Sequence, residues 1–366
     1  MATTITAPDL PDIARGAAFL GTGGGGNPYV GRLMVERALA EAGRPLTLLA
    51  LDELADDDFV IPTAMMGAPT CIVEKLPAGN EAARSLQRLE QRLGRRATAT
   101  MPVEAGGVNS MIPLVVGLRL GLPVVDADGM GRAFPELHHE TFHVYGVSGS
   151  PMVVTDDAGS QVVIETADNR AMEWLARGVT VRMGGVAYIA DYAMDGATAK
   201  RVSIGGTIGV CAKIGAAIRH AREHHLDPFD HLVAALADTT YAPARPIFSG
   251  KVVEVFRRTV EGFVRGVVAI AESGARDGTA GRRMEIEFQN ENLVARIDGE
   301  VAAIVPNLIC VLDADTAEPI TTEELRYGQR VTVMAVSVPE IMRTPAALAV
   351  WGPRAFGYDI DFAPLA

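Results

Sequence analysis

The sequence predicts an α/β N-terminal domain with a mixed or parallel sheet, followed by a β-rich α+β C-terminal domain. Three observations predict it. Up to about residue 165, apolar residues at helical spacing alternate with short strand-like runs. Those runs are continuously apolar, as strands covered on both faces must be. After about residue 245, β-rich segments follow one another. The boundary falls near 165–170 and divides the chain into 1–167 and 168–366.

Each element follows in order. "DLPDIARGAAFL" and "YVGRLMVERALAEAG" carry helical spacing and flank "LGTGGGGNP", which reads as a short ordered loop between two helices. "LTLLALDEL" predicts a strand, and "DFVIPTAMMGAP" a strand ending in a loop. "NEAARSLQRLEQRLG" is an amphipathic helix. "SMIPLVVGLRLG" is an apolar helix, followed by "LPVVDADGMG", a buried strand running into a polar loop. "AMEWLARGVTVRMGGVAYIADYAM" reads as helix then strand, and "SIGGTIGVCAKIGAAIRHAREHH" as a glycine turn opening a helix. "KVVEVFRRTVEGFVRGVVAI", "RRMEIEFQNENLVARIDGEVAAIVPNLICVLD" and "QRVTVMAVSVP" supply the later strands. There is no internal repeat and no low-complexity segment.

Composition bounds the function. The 366 residues are 48% hydrophobic and 21% charged, which suits a soluble globular protein. A net charge of −12 argues against a nucleic-acid partner. No run reaches the roughly 18 apolar residues of a membrane helix. The start "MATTITAPDL" has neither the basic start nor the apolar core of a signal peptide. Three cysteines, Cys71, Cys211 and Cys310, are too few and too scattered for a disulfide framework, so a cytoplasmic location is expected. A homo-oligomer is expected as well.

The densest run of chemistry is "VVDADGMGRAFPELHHETFH". Asp126 and Asp128 close an apolar strand, where open α/β sheets bind ligands. Alternation puts both on one face if the strand continues. Arg132, Glu136, His138, His139 and His143 follow. His139 and His143 stand four apart, a spacing that on a helix shares one face and suits a metal. The competing reading is a solvated loop with a turn aspartate. Cys71 lies just past a strand, with Glu74 close behind; it is either a nucleophile or a small buried hydrophobe. Cys211 and Cys310 read as core. Glu104 and Asn109 flank a Gly-Gly pair opening a helix, a geometry that holds an anion or an oxyanion. With "SIGGT" and the first glycine loop, three such turns suggest a pocket ringed with N–H donors. His220, His224 and His225 read as a solvated helix face, and His231 has no assigned role.

"LGTGGGGNP", "GAPT…EK", "GLPVVDADGMGRAFPE", "NENLVA" and "VWGPRAFGYDIDF" together resemble the DUF917 family, the S-methyl thiohydantoin desulfurase or S-Me-THD-like proteins. The resemblance covers nearly the whole chain. It implies hydrolysis of an S-methyl thiohydantoin ring, of the kind met in ergothioneine breakdown, to a hydantoin and methanethiol. C2 of that ring is an isothiourea carbon, electronically close to a guanidinium carbon. On the resemblance, Cys71 is expected to attack C2. His139, or failing that His143, is expected to protonate the leaving sulfur and then activate water. Asp126 and Asp128 would hold the ring nitrogens, with Glu74 and Glu104 as further carboxylates and Asn109 beside them. The loop Gly23, Gly24, Gly25 to Asn27 would bind the ring carbonyl or the propionate, with Arg132 as charge partner. This route needs no cofactor. A rival places zinc on Asp126, Asp128, His139 and His143. A second rival is a non-catalytic partner of a hydantoinase-type enzyme. ATP chemistry is set aside: no Walker lysine follows the glycine loop and no strand precedes it. Arg343, Arg354 and Tyr358 are possible ligand contacts in the tail.

Overall fold

The computed structural model describes residues 3–68, 71, 75, 77–260, 263–272 and 281–365. Two sheets organise them. The first contains β1 (Thr3–Ile5), β2 (Leu46–Ala50), β3 (Phe59–Gly67), β4 (Ala99–Pro102), β5 (Val124–Asp128), β6 (Met152–Thr155), β7 (Gln161–Ile164), β8 (Val186–Ala190), β9 (Met194–Asp195) and β10 (Ile204–Gly205). Its order is β1-β2-β5-β4-β3-β8-β6-β7, with β9 beside β3 and β10 beside β5. The central strands β2, β5, β4 and β3 are parallel, and the pairs outside them antiparallel. The sheet is therefore mixed, and it draws strands from both sides of residue 167.

The second sheet contains β11 (Ala244–Val260), β12 (Phe263–Glu272), β13 (Arg283–Gln289), β14 (Glu291–Ile297), β15 (Glu300–Ile304), β16 (Leu308–Asp313) and β17 (Arg330–Val336). Its order is β15-β14-β13-β12-β11-β17-β16, antiparallel throughout. The α/β half and the β-rich half stand as the sequence predicts.

The helices follow from patterning and punctuation. Helix Glu81–Leu93 buries Leu86 and Leu89 and stops at Gly94, whose φ of 68° is left-handed. Helix Leu10–Leu20 buries Leu10, Ile13, Ala17 and Leu20, each larger side chain stabilising by about 1.5–3 kcal/mol. It crosses helix Thr207–Glu223 so closely that a Cβ on Gly16 would lie 1.9 Å from the Cys211 carbonyl oxygen. Cys211 is thus core, and Cys310 is buried too. One core cluster runs from this helix pair to Met334 and Val336 of β17, so the two sheets share an interior.

The loop after helix Leu10–Leu20 explains its glycines. Gly23, Gly25 and Gly26 have φ of 92°, 69° and 73°, which side-chain-bearing residues adopt at a cost. The loop also ties the two sheets together. The Thr22 carbonyl accepts from Asn292 N–H at 2.8 Å, Gly23 from Thr322 N–H at 2.8 Å, and Gly25 from Val108 N–H at 2.9 Å. Among the described residues no helix is long and apolar enough to cross a membrane.

Candidate functional site

The parallel strands β3, β4 and β5 end side by side, and a cavity of about 70 Å³ opens beyond them. Ligands bind at this edge of open α/β sheets because chain reversals leave a crevice there. Met65, Met66 and Gly67 come from β3; Val103 and Glu104 follow β4; Met130, Phe134 and Glu136 follow β5. The loop Gly23–Gly26 covers one side. Asn290, Glu291, Thr322 and Glu323 close it from the second sheet.

Two buried glutamates dominate its electrostatics. Asn109 Nδ2 donates to Glu104 Oε1 at 2.7 Å, while Glu104 Oε2 has no partner among the described residues. Burial pushes Glu104 well above the carboxylate range, and the charges of Glu291 and Asp128 add to the shift. Glu291 likewise has an unpartnered Oε2. Burial pushes it up to about 7, moderated by the Arg132 guanidinium and an N–H from Gly25. Asn109 is fixed in turn: its Oδ1 accepts from Met65 N–H at 2.7 Å, and its Nδ2 also donates to the Met65 carbonyl at 3.1 Å.

A second group lies in the wall. Glu136, His138 and His139 each offer a ligand atom, and these atoms lie within 4.8 Å of one another. His138 Nε2 stands 3.2 Å from Glu136 Oε2. Burial holds His138 down to about 4 and His139 well below the usual imidazole range, so both rings are neutral near pH 7. His139 packs on Phe134 and Phe356.

The structure sorts the expected residues. Gly23, Gly24, Gly25, Glu104 and Asn109 line the cavity together. Asn27 does not: its Oδ1 accepts from Tyr29 N–H and its Nδ2 donates to Glu324, in a neighbouring surface cleft. Asp126 and Asp128 are not on the lining either. Asp126 Oδ1 accepts from Ile208 and Gly209 N–H at 2.8 and 3.1 Å, anchoring the start of helix Thr207–Glu223. Asp128 Oδ2 accepts from Ala105 and Gly131 N–H at 2.8 and 2.9 Å, bracing the turns around the cavity from behind. Arg132 is fully buried but faces carbonyls: it donates to Ala133, Asn292, Asn307 and, at 3.4 Å, Pro306. Its charge reaches the cavity through Glu291 rather than by contact. His139 and His143 do not share a helix face. His139 sits in a turn before the short helix Thr141–Val144, because residues 136–140 turn rather than continue a helix. His143 Nδ1 lies 3.1 Å from Asn169 Nδ2.

Cys71 is half-buried, with its Sγ against Gly185 and no histidine in hydrogen-bond reach among the described residues. Glu74 lies outside the described residues. In the tail, Arg354 pairs with Asp359 and Asp361, and the Tyr358 hydroxyl donates to Glu287; neither residue lines the cavity. Sequence reasoning missed Glu291, although "NENLVA" carries it. The signal was three polar residues interrupting an apolar strand pattern.

The fold and cavity define a class: a two-sheet protein whose parallel-strand edge is roofed by an antiparallel sheet. The chain belongs to the S-Me-THD-like family, whose N-terminal domain matches residues 8–166 and whose C-terminal domain matches residues 167–365. The crystal structure of a protein from Chromobacterium violaceum is similar along the full length of both chains, at TM-score 0.81 and 22% identity. That likeness shows the fold. No curated protein matches the chain.

Proposed function

We propose that the protein is a hydrolase that cleaves the C2–S bond of an S-methyl thiohydantoin. The family match supports the substrate class. The observation that carries the chemistry is the pair of unpartnered oxygens, Glu104 Oε2 and Glu291 Oε2, on one cavity under the glycine loop.

C2 carries two nitrogens and one sulfur, so the protonated ring presents N–H donors around a cationic carbon. An ionised glutamate accepts from a ring N–H and keeps C2 electron-poor. The other glutamate, protonated near neutral pH because burial raises its pKa, supplies the proton to the departing sulfur. Water's oxygen bonds to C2, the C2–S bond breaks, and the sulfur leaves as methanethiol. The ionised glutamate takes the first water proton as the oxygen bonds, the glutamate that protonated the sulfur takes the second, which gives the C2 carbonyl of the hydantoin, and the proton the ring brought leaves to solvent and resets the pair.

A covalent route through Cys71 is the second reading, favoured by a half-buried thiol just beyond Gly67, which lines the cavity. There the thiolate bonds to C2 and expels methanethiol, and water then cleaves the Cys71 thioimidate and restores the thiol. Thiol release from an S-methyl thiohydantoin separates the two. Loss of at least a hundredfold in Glu104→Gln and Glu291→Gln, with Cys71→Ser near wild type, supports the carboxylate route. Loss in Cys71→Ser alone replaces it with the covalent route. No release by the wild-type protein overturns the substrate class.

A further inference from the structure

The turn Glu136–His139 is the one place among the described residues where three metal-ligating side chains converge. Both histidines are buried, at 4% and 6% exposure, and the Nδ1 of each has no hydrogen-bond partner among the described residues. An unsatisfied buried ring nitrogen costs about 1–3 kcal/mol, so two side by side ask for a group that supplies the missing bonds. Glu136 borders the cavity, and Glu136 and His138 also face an open groove on the other side.

We propose that Glu136, His138 and His139 form a binding site for one divalent transition-metal ion of the zinc class. Two imidazoles and a carboxylate are a donor set such ions prefer, and three protein ligands leave a fourth position open. The spacing is close to what coordination needs. Ligand atoms on one tetrahedral ion stand about 3.3 Å apart, given metal–ligand bonds of about 2.0–2.1 Å. His138 Nε2 already stands 3.2 Å from Glu136 Oε2; coordination through its unpartnered Nδ1 instead takes a turn of the ring. The remaining separations, within 4.8 Å, close by side-chain rotation. Two guanidiniums stand near, Arg170 and Arg177; Arg177 is engaged by Glu173, which lessens its repulsion of a cation. The site stands apart from the thiohydantoin reading and is tested without turnover.

Protein stripped with a chelator is titrated with Co²⁺ and, separately, Zn²⁺. The expected result is one equivalent of metal retained through gel filtration and an intense visible cobalt spectrum typical of low coordination number. Glu136→Gln and His138→Asn each weaken binding tenfold or more, with unchanged far-UV circular dichroism. A built-in competitor is the trio of exposed His220 and His224 with half-buried His231, whose rings lie 4.2 and 5.8 Å apart about His220. Binding that disappears in His224→Ala/His231→Ala but survives in Glu136→Gln overturns the assignment. So does a wild-type protein that retains no metal and shows no cobalt spectrum.

Discussion

Gly24→Ala isolates the contact that brings the glycine loop onto the buried Glu291 carboxyl. A Cβ at Gly24 would lie 2.1 Å from Glu291 Oε1, 2.5 Å from Cδ and 2.6 Å from Cγ. Ordinary contact begins at 3.4 Å, so the whole carboxyl end must move. Gly24, unlike Gly23, Gly25 and Gly26, does not have a positive φ, so alanine meets no left-handed backbone penalty there. Glu291 is 2% exposed and held by its neighbours, so its displacement costs about 1–3 kcal/mol. For 366 residues that is a fall of about 1–4 °C in melting temperature. Turnover suffers more, because misplacing a catalytic group by an ångström costs about 100-fold. Differential scanning fluorimetry and thiol release measure the two. Glu291→Ala removes the clash, so Gly24→Ala on that background should cost under about 0.5 kcal/mol. Wild-type melting and turnover in the single variant would refute the close approach. An undiminished cost on the Glu291→Ala background would refute its assigned cause.

Two further outcomes follow from the same buried carboxyls. Glu291, at about 7 in the folded protein, keeps a proton that the unfolded chain has released above about 4.5, so its contribution to stability is lost as pH rises from about 4.5 to 7. Glu291→Gln removes that loss, making the melting profile across this window shallower in its fall, or steeper in its rise, by at most about 1.4 kcal/mol per pH unit; an unchanged slope would count against a neutral Glu291. Asp128→Ala strands the N–H groups of Ala105 and Gly131 in the interior, so unfolding by urea should show a loss of about 1–3 kcal/mol, and no change would mean that other acceptors take them over.

Much of the fold was legible because its elements are punctuated locally. Helix Glu81–Leu93 has its apolar stripe and its terminal Gly94, and β3 and β5 are apolar runs ending at glycine or aspartate. The cavity was half legible. Gly23, Gly24, Gly25, Glu104 and Asn109 stand out as bare backbone beside polar side chains. Asp126 and Asp128 stand out as strongly, yet their carboxylates face backbone N–H groups. Whether a carboxylate at a strand end meets a ligand or a helix start is decided by what packs there, and helix Thr207–Glu223 arrives from about eighty residues away. Glu291 was hidden for the same reason: it enters from β14, in the other sheet. Residues 136–139 lacked helical continuation, so a spacing argument based on His139 and His143 could not reach the cluster that the turn creates.

The charge balance of the cavity carries one more consequence. Glu104 and Glu291 lie in one buried site with Arg132 as the nearby cation, and Arg132, although burial lowers it to about 10, stays charged near neutrality. Burial pushes each glutamate upward, and one positive charge does not hold both ionised. A protonated isothiourea-type ring brings the second positive charge. Binding such a cation should therefore favour ionisation of Glu291 and release its proton, while Glu104, raised well above the carboxylate range, keeps the proton that sulfur receives. The affinity for S-methylisothiouronium, a cationic fragment of the substrate, should strengthen as pH rises from 5 to about 7 and then level off. Calorimetry in buffers of different ionisation enthalpy reads the proton directly, with up to one released per ligand near pH 6 and the release abolished in Glu291→Gln. An affinity that is flat across this range, with no buffer dependence of the heat, would mean that the two carboxyls do not share a proton, and the acid–base assignment of Glu104 and Glu291 would fall with it.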